Sequence, residues 1–218
     1  MAAKTKERPR FTGKQVATGA VVAVGAIAAI GAGIFFAKDK STPRPDYDTL
    51  SEDGDLSIRH YPELVIAETV VTGVEDRKQA QNDGFRMLAD YIFAKSRDGE
   101  KIAMTAPVLC DRPATDETLG DVSAGWRMRF IMPEGTTRET LPSPPEGVTL
   151  TELPARRVGA IAFSGLWSDA NLEEEEGALR AWLMDSGETE AGKVEYAFYD
   201  APMIPGPLRR NEVLIPLA

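Results

Sequence analysis

The chain has 218 residues, 43% of them hydrophobic, which suits one globular domain with a real core plus an appendage. Its net charge is -9, and residues 1–40 hold seven Lys/Arg against two Asp/Glu, so the remainder carries -14, a field that repels phosphate backbones and makes nucleic acid an unsuitable partner. With a single cysteine, Cys110, and a single histidine, His60, an intramolecular disulfide and a zinc site built on several Cys or His ligands are both excluded.

Residues 1–15 form a basic segment with Lys4, Lys6, Arg8, Arg10 and Lys14. Val16 to Ala37 then runs for 22 residues without a charge. As a helix it would span about 33 Å, enough to cross a bilayer. A cleaved signal peptide is the rival reading, but its apolar region is usually about 7–15 residues, and no clear small-x-small cleavage site follows Phe36. The basic leading flank predicts a single-pass anchor in the cytoplasmic or inner membrane, N-terminus inside and domain extracytoplasmic. Gly25, Ala29 and Gly33 share one face of this helix, the small-xxx-small spacing through which two membrane helices pair, so a homodimer is one expectation. Residues 38–55, rich in Pro, Asp and Ser, read as a flexible tether with a reach of about 25 Å.

The domain proper is expected over 56–218. Its first strand is broken at Pro62 and resumes through Val71. A helix follows over roughly 75–95, with Phe85, Leu88, Ala89 and Ile92 on its buried face. Strands are predicted at 101–109 and 126–132, and the three-proline stretch 141–147 is a joint. A second helix starts near Ser168 or Asp169, and its early Glu173 to Glu176 run suits a solvated helix start. Leu172, Leu179 and Leu183 form its inner face, and strands at about 193–199 and 211–217 close the chain.

This order repeats. At an offset of 92 residues, Ile58 falls on Leu150, Pro62 on Pro154, Ile66 on Val158 and Gly73 on Gly165. At smaller or larger offsets Leu88 falls on Leu179, Pro107 on Pro202 and Pro133 on Pro216, as loop insertions between shared elements require. The chain therefore reads as one strand-helix-strand-strand unit used twice, in halves of about 56–140 and 148–218. The period is too long for a solenoid array.

KIAMTAPV at 101–108, RMRFIMP at 127–133 and YDAPMIPGPLRRNEV at 199–213, with IRHYP at 58–62, together resemble the SOUL (p22-type) family of haem-binding proteins. The resemblance covers residues 56–217. It implies an α+β fold in which the duplicated unit forms a curved or barrel-like antiparallel sheet with two helices, shared with the effector-binding domains of bacterial transcription regulators. It also implies reversible, non-covalent binding of haem or another tetrapyrrole in an apolar groove. Carried onto this chain, that groove comprises Phe85, Arg86 and Ala89 of the first helix and Pro202, Met203 and Ile204 of the loop between the last two strands.

Several side chains have two readings. His60 is a candidate axial haem ligand. Met104, Met128, Met132 and Met203 offer thioethers, though methionines on apolar strands usually fill the core. Arg209 and Arg210 can compensate haem propionates, or can pair with Glu212. Arg127 and Arg129 alternate with Met128 and Phe130, which predicts a solvated outer face. Glu195, amid Trp167, Tyr196, Phe198 and Tyr199, is the acid a small-molecule hydrolase would need, with a raised pKa. The three function classes are a membrane-anchored tetrapyrrole carrier or buffer that catalyses nothing, a membrane-tethered interaction module without haem, and that hydrolase.

Overall fold

A computed structural model describes residues 42–113, 125–201 and 203–218. The expected membrane run, its Gly25, Ala29 and Gly33 face, and Pro202 lie outside the described residues. Among the described residues no helix is long and apolar enough to cross a membrane.

Proline sets the architecture by breaking a strand at the same place in each half. Leu56–Tyr61 (β2) stops at Pro62, and Leu64–Val71 (β3) starts two residues later. Thr149–Leu153 (β6) stops at Pro154, and Arg156–Ser164 (β7) follows. These are not single interrupted strands, because the two members of each pair have different neighbours. β2 pairs with β7, and β3 with β6. The remaining strands are Asp48–Asp53 (β1), Val108–Asp111 (β4), Trp126–Ile131 (β5), Glu195–Phe198 (β8) and Arg210–Leu217 (β9). The result is α+β, a nine-stranded sheet in the order β1-β2-β7-β9-β8-β4-β5-β3-β6, antiparallel at every pair.

The sheet has to curl. β2 and β3 stand six places apart in it, about 29 Å if it were flat. The chain between Tyr61 and Leu64 spans at most about 11 Å. β6 and β7, also six places apart, impose the same bend at the other end.

Omitting β1, the order reads the same from either end once β2 is exchanged with β6, β3 with β7, β4 with β8 and β5 with β9. Ile58 stands opposite Gly159, and at an offset of 92 Leu150 stands opposite Ala67. Ile66 pairs with Ile131 and Val158 with Pro216, so in this register Pro216 takes the place of Ile131, two residues from the expected match with Pro133.

Two helices cover one face. Arg77–Ile92 (α1) starts at Asp76, whose carboxylate accepts from the Gln79 N–H, and packs on β3 and β5. Asp169–Asp185 (α2) starts at Ser168 in a reciprocal cap with Asn171 and packs on β7 and β9. Leu88, Tyr91 and Ile92 of α1 and Leu172, Leu179 and Leu183 of α2 are buried against Ile58, Met128, Phe130, Val213 and Ile215. Phe85, expected inside, is 41% exposed and meets Phe130 edge-on. The helix-free face has its own core of Tyr61, Ile66, Leu109, Ile131, Val158 and Leu214 with their neighbours, enclosed by the curl.

Two boundaries differ from expectation. The tether assigned to 38–55 contains β1, all six residues exposed, held by main-chain pairing to β2. The strand expected at 101–109 is confined to β4, while Ile102 and Ala106 donate their N–H groups to Ile92 O and Pro43 O.

Candidate functional site

β1 and β2 turn at Gly54, whose φ of +62° a side chain would strain. The hairpin makes one wall of a cleft of about 480 Å³, and β7 makes its floor. The opposite wall comes from the loop between β8 and β9, where Gly206–Leu208 form a single 3-10 turn. A side chain at Gly206 would sit 3.0 Å from Leu166 Cγ, so glycine lets this loop close on the β7–α2 connection. Arg209 Nε donates to Ile204 O at 2.7 Å, and Asn211 Nδ2 to Gly165 O at 3.0 Å, fixing the loop at both ends.

The cleft is lined by the apolar Leu56, Phe163 and Leu208 and by the cationic Arg59, Arg209 and Arg210, with Leu56 and Phe163 also packed on the helix-side core. Beneath the arginines lies Glu212, fully buried. Its carboxylate accepts from Arg59 Nη1 and Nη2 at 2.9 and 3.1 Å, from Tyr199 Oη at 2.6 Å, and from Arg210 Nε at 3.1 Å. Burial opposes this charge, but the hydrogen bonds and charge of Arg59, then Tyr199 and Arg210, outweigh burial and hold the carboxyl below its ordinary value. Burial pushes the Tyr61 hydroxyl up to about 12 and Tyr199 well up, so both stay neutral. Two guanidinium groups thus share one carboxylate, and with Arg209 the three arginines are balanced in charge by Glu212 beneath and by Glu52 and Asp55 on the β1–β2 side.

A second polar cluster crosses the helix-free face. Arg129, expected on a wet surface, is 2% exposed. Its Nη2 lies 2.8 Å from Asp111 Oδ1 and 3.2 Å from Glu195 Oε1, and Arg156 grips Glu195 at 2.6 and 2.7 Å. Burial would raise the Glu195 pKa, but Arg156 and Arg129 lower it overall. The carboxylate is held ionised, the reverse of the raised pKa a general acid needs.

The sequence-derived candidates separate. Arg209 and Arg210 line the cleft, and Arg210 also pairs with Glu212, so the ion-pair reading and the site reading meet in one residue. Ile204 is buried in the loop and Met203 is 70% exposed on it. On α1, Arg86 is exposed beside Asp83, Phe85 meets Phe130 edge-on and Ala89 is buried, so that helix's contacts run to β3 and β5 while the loop's run to Gly165 and Leu166. His60 alternates with the cleft residue Arg59 along β2, which turns it to the opposite strand face. Met128 and Met132 are buried core, as their apolar strands suggested. Tyr47 and Thr49 were missed, because β1 has no apolar pattern to announce it.

Haem carries two propionates on an apolar ring. The cleft offers arginines beside aliphatic and aromatic side chains, and its volume falls in the roughly 300–1,000 Å³ range of ligand pockets. The volume and the arginines admit such a group, while the lining is more polar than apolar and carries Glu52 and Asp55 beside the arginines. Among the described residues the lining contains no His, Cys or Met, and of the usual haem-iron ligand types it offers Tyr47.

The profile of the SOUL heme-binding protein family matches residues 42–216, and the chain belongs to that family, whose ligand is haem. No curated protein matches the chain. Among solved structures, the EcmrR–DNA complex is similar at a TM-score of 0.55 and 10% identity, covering 93% of this chain and 68% of that one. The EcmrR C-terminal domain follows at 0.50 and 10%, covering 79% and 98%. A conserved protein from Listeria innocua reaches 0.51 and 13%, covering 83% and 96%. At these identities the likeness shows the fold alone.

Proposed function

We propose that this chain is a membrane-anchored haem carrier or buffer that binds its ligand reversibly and catalyses nothing. Family membership over residues 42–216 carries the ligand. The anchor rests on the uncharged run Val16 to Ala37 and its basic flank. Reversibility rests on chemistry, because the single cysteine precludes thioether attachment through a CxxCH pair and a flat apolar ligand gains from burial alone. The equal register of β2–β7 and β6–β3 supports the reading of two copies of one unit. An ionised Glu195 speaks against the hydrolase.

The β8–β9 loop is common to the cleft and to the groove the family resemblance implies, so the ligand is placed there. Haemin titration of residues 42–218, followed by absorption, tests this. A saturable Soret shift weakened by Leu208→Glu and Met203→Glu, but not by Phe85→Glu or His60→Ala, supports the loop and cleft. Loss with Phe85→Glu alone moves the ligand to the α1 face. No shift at any concentration replaces the carrier with an interaction module.

A further inference from the structure

The chain has five tyrosines, all within the described residues. Four have a committed oxygen. Tyr61 Oη accepts from Arg59 Nη1 at 3.4 Å, while Tyr91, Tyr196 and Tyr199 donate to Pro142 O, Glu176 and Glu212. Tyr47 is the exception. Among the described residues its hydroxyl has no hydrogen-bond partner, although it lines the cleft and is 37% exposed.

Its ring, by contrast, is held. Asp48 pairs with His60, so Tyr47 stands beside Tyr61 at the end of the β1–β2 ladder, with ring centres 5.0 Å apart. Arg59 Cζ lies 4.6 Å from the centre of the Tyr47 ring, and Arg59 is itself fixed by its two hydrogen bonds to Glu212. A positioned ring with an uncommitted oxygen can offer that oxygen to a ligand without first breaking a bond inside the protein.

We propose that Tyr47 is the cleft residue that coordinates iron, through its phenolate oxygen, and that it makes the site selective for ferric haem over ferrous or metal-free tetrapyrroles. This rests on the placement of haem in the cleft. Tyrosine is an established type of haem-iron ligand, and an anionic oxygen donor gains more from Fe(III) than from the softer, less charged Fe(II). On coordination the Tyr47 O–H bond breaks, its proton passes to water, and an oxygen electron pair forms the bond to Fe(III), with no change of oxidation state. His60, the chain's one imidazole, is not among the residues lining the cleft.

The test is a titration of the full chain, in mild detergent, with haemin and separately with metal-free protoporphyrin IX. Tyr47→Phe keeps the ring and removes only the oxygen. It should raise the haemin Kd about tenfold, equivalent to about 1.4 kcal/mol, and leave the protoporphyrin Kd unchanged. The phenolate modes expected in the resonance Raman spectrum of the haemin complex should disappear with it. After reduction with dithionite, parent and variant should bind haem equally. Weakening of both porphyrins alike would make Tyr47 a packing residue and overturn ligation. Unaltered haemin affinity and spectrum in the variant, or a spectrum that changes with His60→Ala instead, would also overturn it while leaving haem binding intact. Failure of the parent chain to bind either porphyrin removes the carrier reading, and this proposal with it.

Discussion

Arg59 and Glu212, 153 residues apart in the chain, are joined by two hydrogen bonds at 2.9 and 3.1 Å, with both side chains almost fully buried. Each desolvated charge depends on the other. Arg59→Met should therefore cost on the order of 3 kcal/mol or more by leaving Glu212 with Arg210 as its one remaining charged partner beside the Tyr199 hydroxyl, and Arg59→Met with Glu212→Leu should cost less than the two single changes summed. Urea denaturation of the four proteins in a double-mutant cycle decides it. An Arg59→Met midpoint equal to that of the parent would refute the idea.

Acid should unfold the domain through two carboxyls. Glu212 and Glu195 are both held below the ordinary glutamate value of 4.5 in the folded state, despite the opposing effect of burial. Their contribution is fully present above about pH 4.5, where the unfolded groups are also ionised, and is lost as pH falls through the lower folded values. Stability measured from pH 6 to 2 should fall along that limb, and Glu195→Gln should flatten it. An unchanged pH slope in the variant would show that Glu195 is not one of the groups responsible.

Gly159 is required by contact rather than by backbone angle. A Cβ there would stand 2.7 and 2.8 Å from the two Cδ atoms of Leu183, pressing α2 off β7. Gly159→Ala should destabilise by about 1–3 kcal/mol. Combining it with Leu183→Ala should cost less than the two separately, because the smaller side chain vacates the space. Thermal unfolding of the two single variants and the double variant gives the coupling, and strict additivity would argue against the contact.

Cys110 should be inert in the native protein. It is fully buried, and burial, then Asp111, pushes its thiol up to about 12. Ellman's reagent at pH 8 should report one thiol in denaturant and almost none without it. Rapid reaction of the folded chain would contradict the burial.

The repeat was legible because its markers sit where the backbone allows few residues. Pro62 and Pro154 end β2 and β6, and Gly73 and Gly165 both have positive φ after β3 and β7. The start of the second helix was legible for a similar reason, since Ser168 caps α2, whereas the first helix was placed near residue 75 without its cap, Asp76. Arg129 was not legible. A period of two says that Arg127 and Arg129 share a face, but only the curl of the sheet says that this face is enclosed. β1 was hidden by the opposite effect. An edge strand held only by its main chain needs no apolar side chains, so its DTLSED reads as tether. Of the site, Arg209 and Arg210 were legible from their loop, whereas Tyr47 and Thr49 meet them only through that concealed strand.

Each half lends its first strand to the other. β2 is hydrogen-bonded to β7, and β6 to β3. A cut in the proline-rich joint at 141–147 would give one fragment with β2 lacking its partner β7, and another with β6 lacking β3. Neither fragment alone can complete a sheet, and each offers the edge the other is missing. The two halves are therefore clasped rather than merely adjacent. A nick at the joint should leave them locked together, and separately produced fragments should rebuild the cleft only when both are present.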